Sequence, residues 1–164
     1  MTSIVGATLM ALGLWANGPE PMRRPPASPS DVPFTLQKEN DSLYILNGWR
    51  LPYPVYQFCT GDVDGDGSND AMVGVVKSTR FHPEKGRRLF IFKQVDGKAR
   101  PLWLGARLGA TLLDFRFADG HIRALETDGR GHYAVVEYRW SGFGMAFHQF
   151  IIKDTDKATA LNHF

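Results

Sequence analysis

The chain holds one cysteine, Cys59, in 164 residues. A single thiol makes no internal disulfide and no cysteine-based zinc cluster. Net charge is nearly absent as well. Nineteen Lys and Arg face seventeen Asp and Glu, a formal +2, which gives no compositional reason to expect nucleic acid or an anionic membrane as partner. Long apolar runs are missing too: none reaches the about 20 residues of a membrane-spanning helix. His82, His121 and His132 lack the i, i+4 pairing and the H-E-x-x-H signature of a zinc site. A nucleophile elbow, a phosphate-binding loop and a dinucleotide fingerprint are likewise absent. No segment keeps a helical apolar period over about eleven positions, which excludes a coiled coil.

What the chain has in quantity is glycine (17), proline (10) and aromatic residues (12%), a mix suited to short strands joined by tight turns. The first fifteen residues, MTSIVGATLMALGLW, are apolar and uncharged. Residues 1–18 are therefore read as a signal peptide or apolar N-terminal segment, with export to the periplasm, cell surface or medium expected. Residues 19–33 hold six of the ten prolines and read as an extended linker, because proline fixes φ and lacks a backbone donor. The folded domain is then 34–164.

Within that domain, strand follows strand. Leu43–Leu46, before a Gly48-Trp49 turn, and Val55–Cys59 come first, followed by the apolar runs 71–76 (AMVGVV) and 89–92 (LFIF). Further strands are expected at 112–117, 121–126, 133–140 and 145–152. In LLDFRF, Leu113, Phe115 and Phe117 alternate with Asp114 and Arg116, which predicts one shared face. Asp96-Gly97, Asp119-Gly120, Asp128-Gly129 and Ser141-Gly142 are hairpin dipeptides. The expected fold is all-β, with short antiparallel meander sheets and no substantial helix. A weak repeat of four strands, once from YQFCTGD to KARPLWLG and again from LLDFRFADG to FGMAFHQFI, fits tandem propeller blades. A plain meander or sandwich gives similar spacing.

The most specific feature is Gly61-Asp62-Val63-Asp64-Gly65-Asp66-Gly67-Ser68-Asn69-Asp70. Asp62, Asp64, Asp66 and Asp70 fill positions 1, 3, 5 and 9 of a D-x-D-x-D-G-x-x-D pattern. Carboxylates this close repel one another, and a counter-ion relieves the cost. Calcium suits the role, since it takes six to eight hard oxygen ligands at about 2.3–2.6 Å in flexible geometry. Gly67 permits the sharp turn, Ser68 would offer its backbone carbonyl, and Asp70 would close the ring. An EF-hand needs a glutamate at position 12 and flanking helices. Position 12 here is Val73, inside a strand-like run. That reading and a dockerin reading both fail.

The segment GDVDGDGSNDAMVGVVKS resembles the FG-GAP and VCBS-type repeats of integrin α-chain propellers and bacterial surface proteins. In that family a GD-x-D/N-x-DG-x-x-D loop runs straight into an apolar strand that ends near a glycine. The resemblance implies calcium, held by the side chains of Asp62, Asp64, Asp66 and Asp70 and the carbonyl of Ser68. It covers Tyr56 to Phe92 well. The second unit matches only in strand rhythm, because ADGHIRALE replaces the acidic loop. A complete propeller takes about 4–8 blades, and two to three units fit here. Either the sheets pack as a sandwich-like partial propeller, or subunits combine to close a ring.

Other features carry less chemistry. From Lys77 to Arg116 there are ten Lys or Arg against Glu84, Asp96 and Asp114, and RFHPEKGRR reads as a loop that could hold a polyanion, or as a solvated hairpin tip. Cys59, in an apolar strand, reads as a buried inert thiol. Trp49, Trp103, Trp140, Tyr53, Tyr56 and Tyr138 are either core or a face for a protein or glycan partner. The expected function is a non-enzymatic, calcium-stabilised binding or interaction domain. One alternative is a metal-dependent hydrolase using the acidic loop with His82 or Glu84 as base. Another is an intracellular structural or assembly protein.

Overall fold

The computed structural model of the chain describes residues 32–80, 82–105 and 108–164. The expected N-terminal segment 1–18, and all of the linker 19–33 except Val32 and Pro33, lie outside the described residues. The domain is all-β and built of three antiparallel sheets. Strands β1 (Leu36–Asn40), β2 (Leu43–Leu46) and β3 (Trp49–Leu51) form the first. The second holds β4 (Val55–Gly61), β5 (Asp70–Thr79), β6 (His82–Val95) and β7 (Lys98–Leu104) in chain order. The third holds β8 (Thr111–Ala118), β9 (His121–Thr127), β10 (Tyr133–Trp140) and β11 (Met145–Thr155), again in chain order. A short helix, α1 (Lys157–His163), follows. The two four-strand units expected from the repeat are these two meanders.

The sheets pack face to face, with the second in the middle. On one side Ala71, Val73, Val75, Phe90 and Phe92 meet Leu46 and Leu51 of the first sheet. On the other, Met72, Leu89 and Ile91 meet Phe115, Ile122, Ala124 and Val136 of the third. Burial on both faces explains why AMVGVV and LFIF are uninterrupted apolar runs rather than alternating ones. Gly74 lets the second and third sheets approach: a Cβ there would lie 2.6 Å from the Tyr56 ring and 2.9 Å from that of Phe115. Beyond the third sheet, Leu125 and Val135 pack with Ala160 of α1. That helix starts where the Asp156 carboxylate accepts the Thr159 N–H at 3.0 Å.

Tight turns follow the dipeptide chemistry. Asp96-Gly97 and Asp119-Gly120 carry φ of 52° and 74°, and 52° and 75°, the doubly left-handed pair that a two-residue hairpin needs. Asp128-Gly129 and Ser141-Gly142 sit instead in longer loops, with only the glycine at positive φ.

Four expectations are corrected. The first turn is Asn47-Gly48, at φ 39° and 83°, so Trp49 opens β3 and pairs with Leu46. The polar RFHPEKGRR segment is not a loop: from His82 it is the outer half of β6, paired with β5 at Thr79↔His82 and Lys77↔Gly86. Leu113 does not share a face with Phe115 and Phe117, because the β8–β9 register slips between Leu112 and Asp114. That bulge turns Leu112 toward the second sheet and Leu113 toward the helix side. Finally, the first sheet is a unit of its own with three strands, including LQKEN and WRL.

Candidate metal centre

The acidic loop joins β4 to β5, and its ends are pinned. Gly61 pairs with Asp70 across the two strands, and a Cβ on Gly61 would collide with the Phe117 ring at 2.2 Å. Gly65 and Gly67 sit at φ 76° and 86°, the left-handed geometry that lets the chain double back inside a few residues. The Asp62 carboxylate organises that reversal. Its Oδ1 accepts the Gly65 N–H at 2.7 Å and the Asp66 N–H at 3.1 Å, and its Oδ2 accepts the Gly67 N–H at 2.8 Å. Asp66 Oδ1 accepts the Ser68 N–H at 2.9 Å.

Asp62, Asp64 and Asp70 come together: each offers a carboxylate oxygen, and the three lie within 4.8 Å of one another. Asp70 is fully buried. Its Oδ2 accepts the Val63 N–H at 2.9 Å, while its buried Oδ1 has no hydrogen-bond partner. Burial pushes the Asp70 carboxyl up to about 6, the Val63 N–H opposes this, and neighbouring Asp64 adds to it. A buried carboxylate oxygen left without a donor is costly. Three converging carboxylate oxygens are a hard donor set of the kind that fits a cation such as calcium.

Asp66 stands apart from this triad. Its carboxylate meets the Lys93 ammonium, which also lies 2.7 Å from Asp64 Oδ2. The Lys93 hydrogen bond, then the Ser68 N–H, hold Asp66 below the usual carboxylate range. Burial works against the Lys93 charge, yet Asp64 and Asp66 together hold its pKa above the ordinary lysine value. Of the five expected ligands, three carboxylates converge, Asp66 is paired with lysine, and Ser68 contributes its N–H to the turn. Sequence reasoning did not find Lys93. It is 29 residues from Asp64, and only strand pairing brings it near.

The other candidates are placed as follows. His82 and Glu84 lie at the far end of β6 from Lys93; at about 3.3 Å per residue Glu84 is roughly 30 Å away, so neither reaches the loop as a base. Some cations of the basic stretch are engaged within the protein. Lys77 donates to Tyr53 Oη at 3.3 Å, and Arg87 covers the Tyr56 ring and donates to the Leu113 carbonyl. Cys59, expected to be buried, is half-buried against Met72 Sδ at 3.9 Å, and burial pushes its thiol up. Trp49, Tyr53, Tyr56, Trp103, Tyr138 and Trp140 all pack in or against the cores.

Among the described residues, the exposed aromatics are instead Phe143, Phe147 and Phe150 (90%, 52% and 47% exposed). Phe147 and Phe150 lie opposite Tyr138 and Val136 across a register slip. The bulge puts both on one face, with ring centroids 5.0 Å apart. Phe150 also lines a cavity of about 310 Å³ with Asp128, His132 and Lys153. Among the described residues, no helix is long and apolar enough to cross a membrane. No family model matches the chain, and no curated protein or solved structure matches it either.

Proposed function

We propose that the loop Asp62–Asp70 binds calcium and that the chain is a non-enzymatic binding or interaction domain stabilised by that metal. The observation that carries this reading is Asp70, whose fully buried carboxylate has one oxygen without a partner beside Asp62 and Asp64. Asp62, Asp64 and Asp70 would hold the ion. Asp66 and the Ser68 carbonyl complete the set implied by the likeness of this loop to FG-GAP and VCBS repeats. The metal's contribution is to neutralise the loop and fix the β4–β5 connection.

An exported setting with plentiful calcium suits such a loop. At free calcium about 100-fold above the dissociation constant, linkage adds about 2.7 kcal/mol, a large share of a small domain's stability. The partner surface would be the exposed Phe147 and Phe150 of β11, where a protein or a glycan could stack on the rings.

Thermal melting tests the metal reading. The melting temperature is expected to fall in chelator and recover with calcium, and Asp64→Ala is expected to remove the difference. Identical wild-type curves with chelator and with calcium would sink it.

A further inference from the structure

We propose that Lys93 is a built-in competitor for the metal: its ammonium holds Asp66 out of the ligand set and so sets the loop's affinity for calcium. The inference rests on the calcium reading above and concerns the regulation of that same site.

Three observations converge on Lys93. Of the four loop aspartates, the three whose oxygens come within 4.8 Å of one another are those other than Asp66. The Lys93 ammonium meets the Asp66 carboxylate, and it also reaches Asp64 Oδ2 at 2.7 Å. Lys93 is also well placed to persist there: its side chain is only 27% exposed, and its backbone is paired with Arg100 of β7. A surface lysine on a flexible stem gains little from an ion pair. A half-buried one bridging two carboxylates gains more, and leaving costs it both contacts.

The electrostatic consequence has a definite sign. Without metal, Lys93 is the one cation paired with the loop's carboxylates among the described residues, so it stabilises the empty loop. With metal, the same positive charge opposes a divalent ion that needs the same oxygens. Asp66 joins the ligand set only by giving up Lys93. One residue therefore stabilises the metal-free protein and weakens metal binding. A lysine with a purely structural role would do the first without the second.

The unlike-charge partner of the loop is thus separable by substitution. Lys93→Met keeps the aliphatic stem and removes the charge, Lys93→Arg keeps the charge, and Lys85→Met removes a charge from the exposed far half of β6. Calcium chloride is titrated into each chelator-stripped protein, and metal-free melting curves are recorded alongside.

Lys93→Met is expected to bind calcium about tenfold or more tighter than wild type, while melting lower without metal. Lys93→Arg and Lys85→Met are expected to stay within about threefold of wild type. If Lys93→Met does not fold without metal, Lys93→Gln carries the same expectation. Calcium binding by wild type that Lys93→Met and Lys93→Gln leave unchanged or weaken overturns this inference alone. An absence of calcium binding in wild type and every variant overturns the calcium reading, and the inference with it.

Discussion

Asp70→Asn should make the calcium-free protein more stable at neutral pH while removing its response to calcium. Asparagine keeps an oxygen for the Val63 N–H and replaces a buried, unpartnered carboxylate oxygen with an amide that can donate toward Asp62 and Asp64. The size follows from linkage. The folded-state pKa of Asp70 is about 6 against an ordinary 3.8, a gap of about two pH units at about 1.4 kcal/mol each. Ionising Asp70 in the metal-free fold therefore costs about 3 kcal/mol at pH 7.

The sign runs with the raised pKa. The unfolded chain gives up this proton first, so the cost grows as pH rises from 3.8 toward 6 and is constant above. Relief of the whole cost would raise the melting temperature by roughly 10 °C for a domain of this size. The assay is calorimetric or circular-dichroism melting of both proteins in chelator at pH 7.5 and at pH 4, then at pH 7.5 in calcium. The advantage of Asp70→Asn should appear at pH 7.5 and vanish at pH 4, and calcium at pH 7.5 should narrow it by raising wild type alone. A chelated variant that melts below chelated wild type at pH 7.5 would show that the carboxylate is not buried without a partner.

Two further outcomes test the packing around the site. Gly74→Ala forces a Cβ to within 2.6 Å of the Tyr56 ring and 2.9 Å of the Phe115 ring; a loss of about 1–3 kcal/mol is expected, read from denaturant midpoints at unchanged slope. Glu137→Gln weakens a buried network in which Arg123 donates at 2.8 Å and Gln149 at 2.7 Å, at about 1–3 kcal/mol near neutral pH. The Gln149 hydrogen bond, opposed by burial and helped by Arg123, holds Glu137 below its ordinary 4.5. Its stabilisation is thus full above pH 4.5 and lost on further acidification, so the melting gap between wild type and Glu137→Gln should close below that pH.

Much of this fold is legible in the residues, for local reasons. Apolar runs such as AMVGVV announce strands buried on both faces, and Asp-Gly pairs announce the two-residue hairpins that only left-handed residues close. What escapes is decided elsewhere in the chain. LQKEN and WRL carry too little apolar pattern to announce the first sheet, which is held by pairing with Leu43–Leu46. The outer half of β6 is polar, yet backbone pairing to β5 extends the hairpin regardless of side chain. A single bulge reverses the facing of Leu113, and period-two reasoning has no means to see it. Helix α1 spans seven residues, too few to show a helical period.

The acidic loop shows the same division. Its aspartate spacing and its glycines are plain in the sequence, because the turn is local. The burial of Asp70 and the approach of Lys93 are not, because both depend on how β5 and β6 pair. Those two nonlocal facts are what the proposed function rests on: one leaves a buried carboxylate oxygen without a partner, and the other sets an ammonium beside Asp64 and Asp66.

Isothermal titration of calcium chloride into chelator-stripped wild-type protein at pH 7.5 tests the central claim most directly. The expected result is one saturable site per chain, absent in Asp64→Ala and in Asp70→Asn. A wild-type titration with no saturable heat, matched by melting curves that calcium does not move, would contradict it.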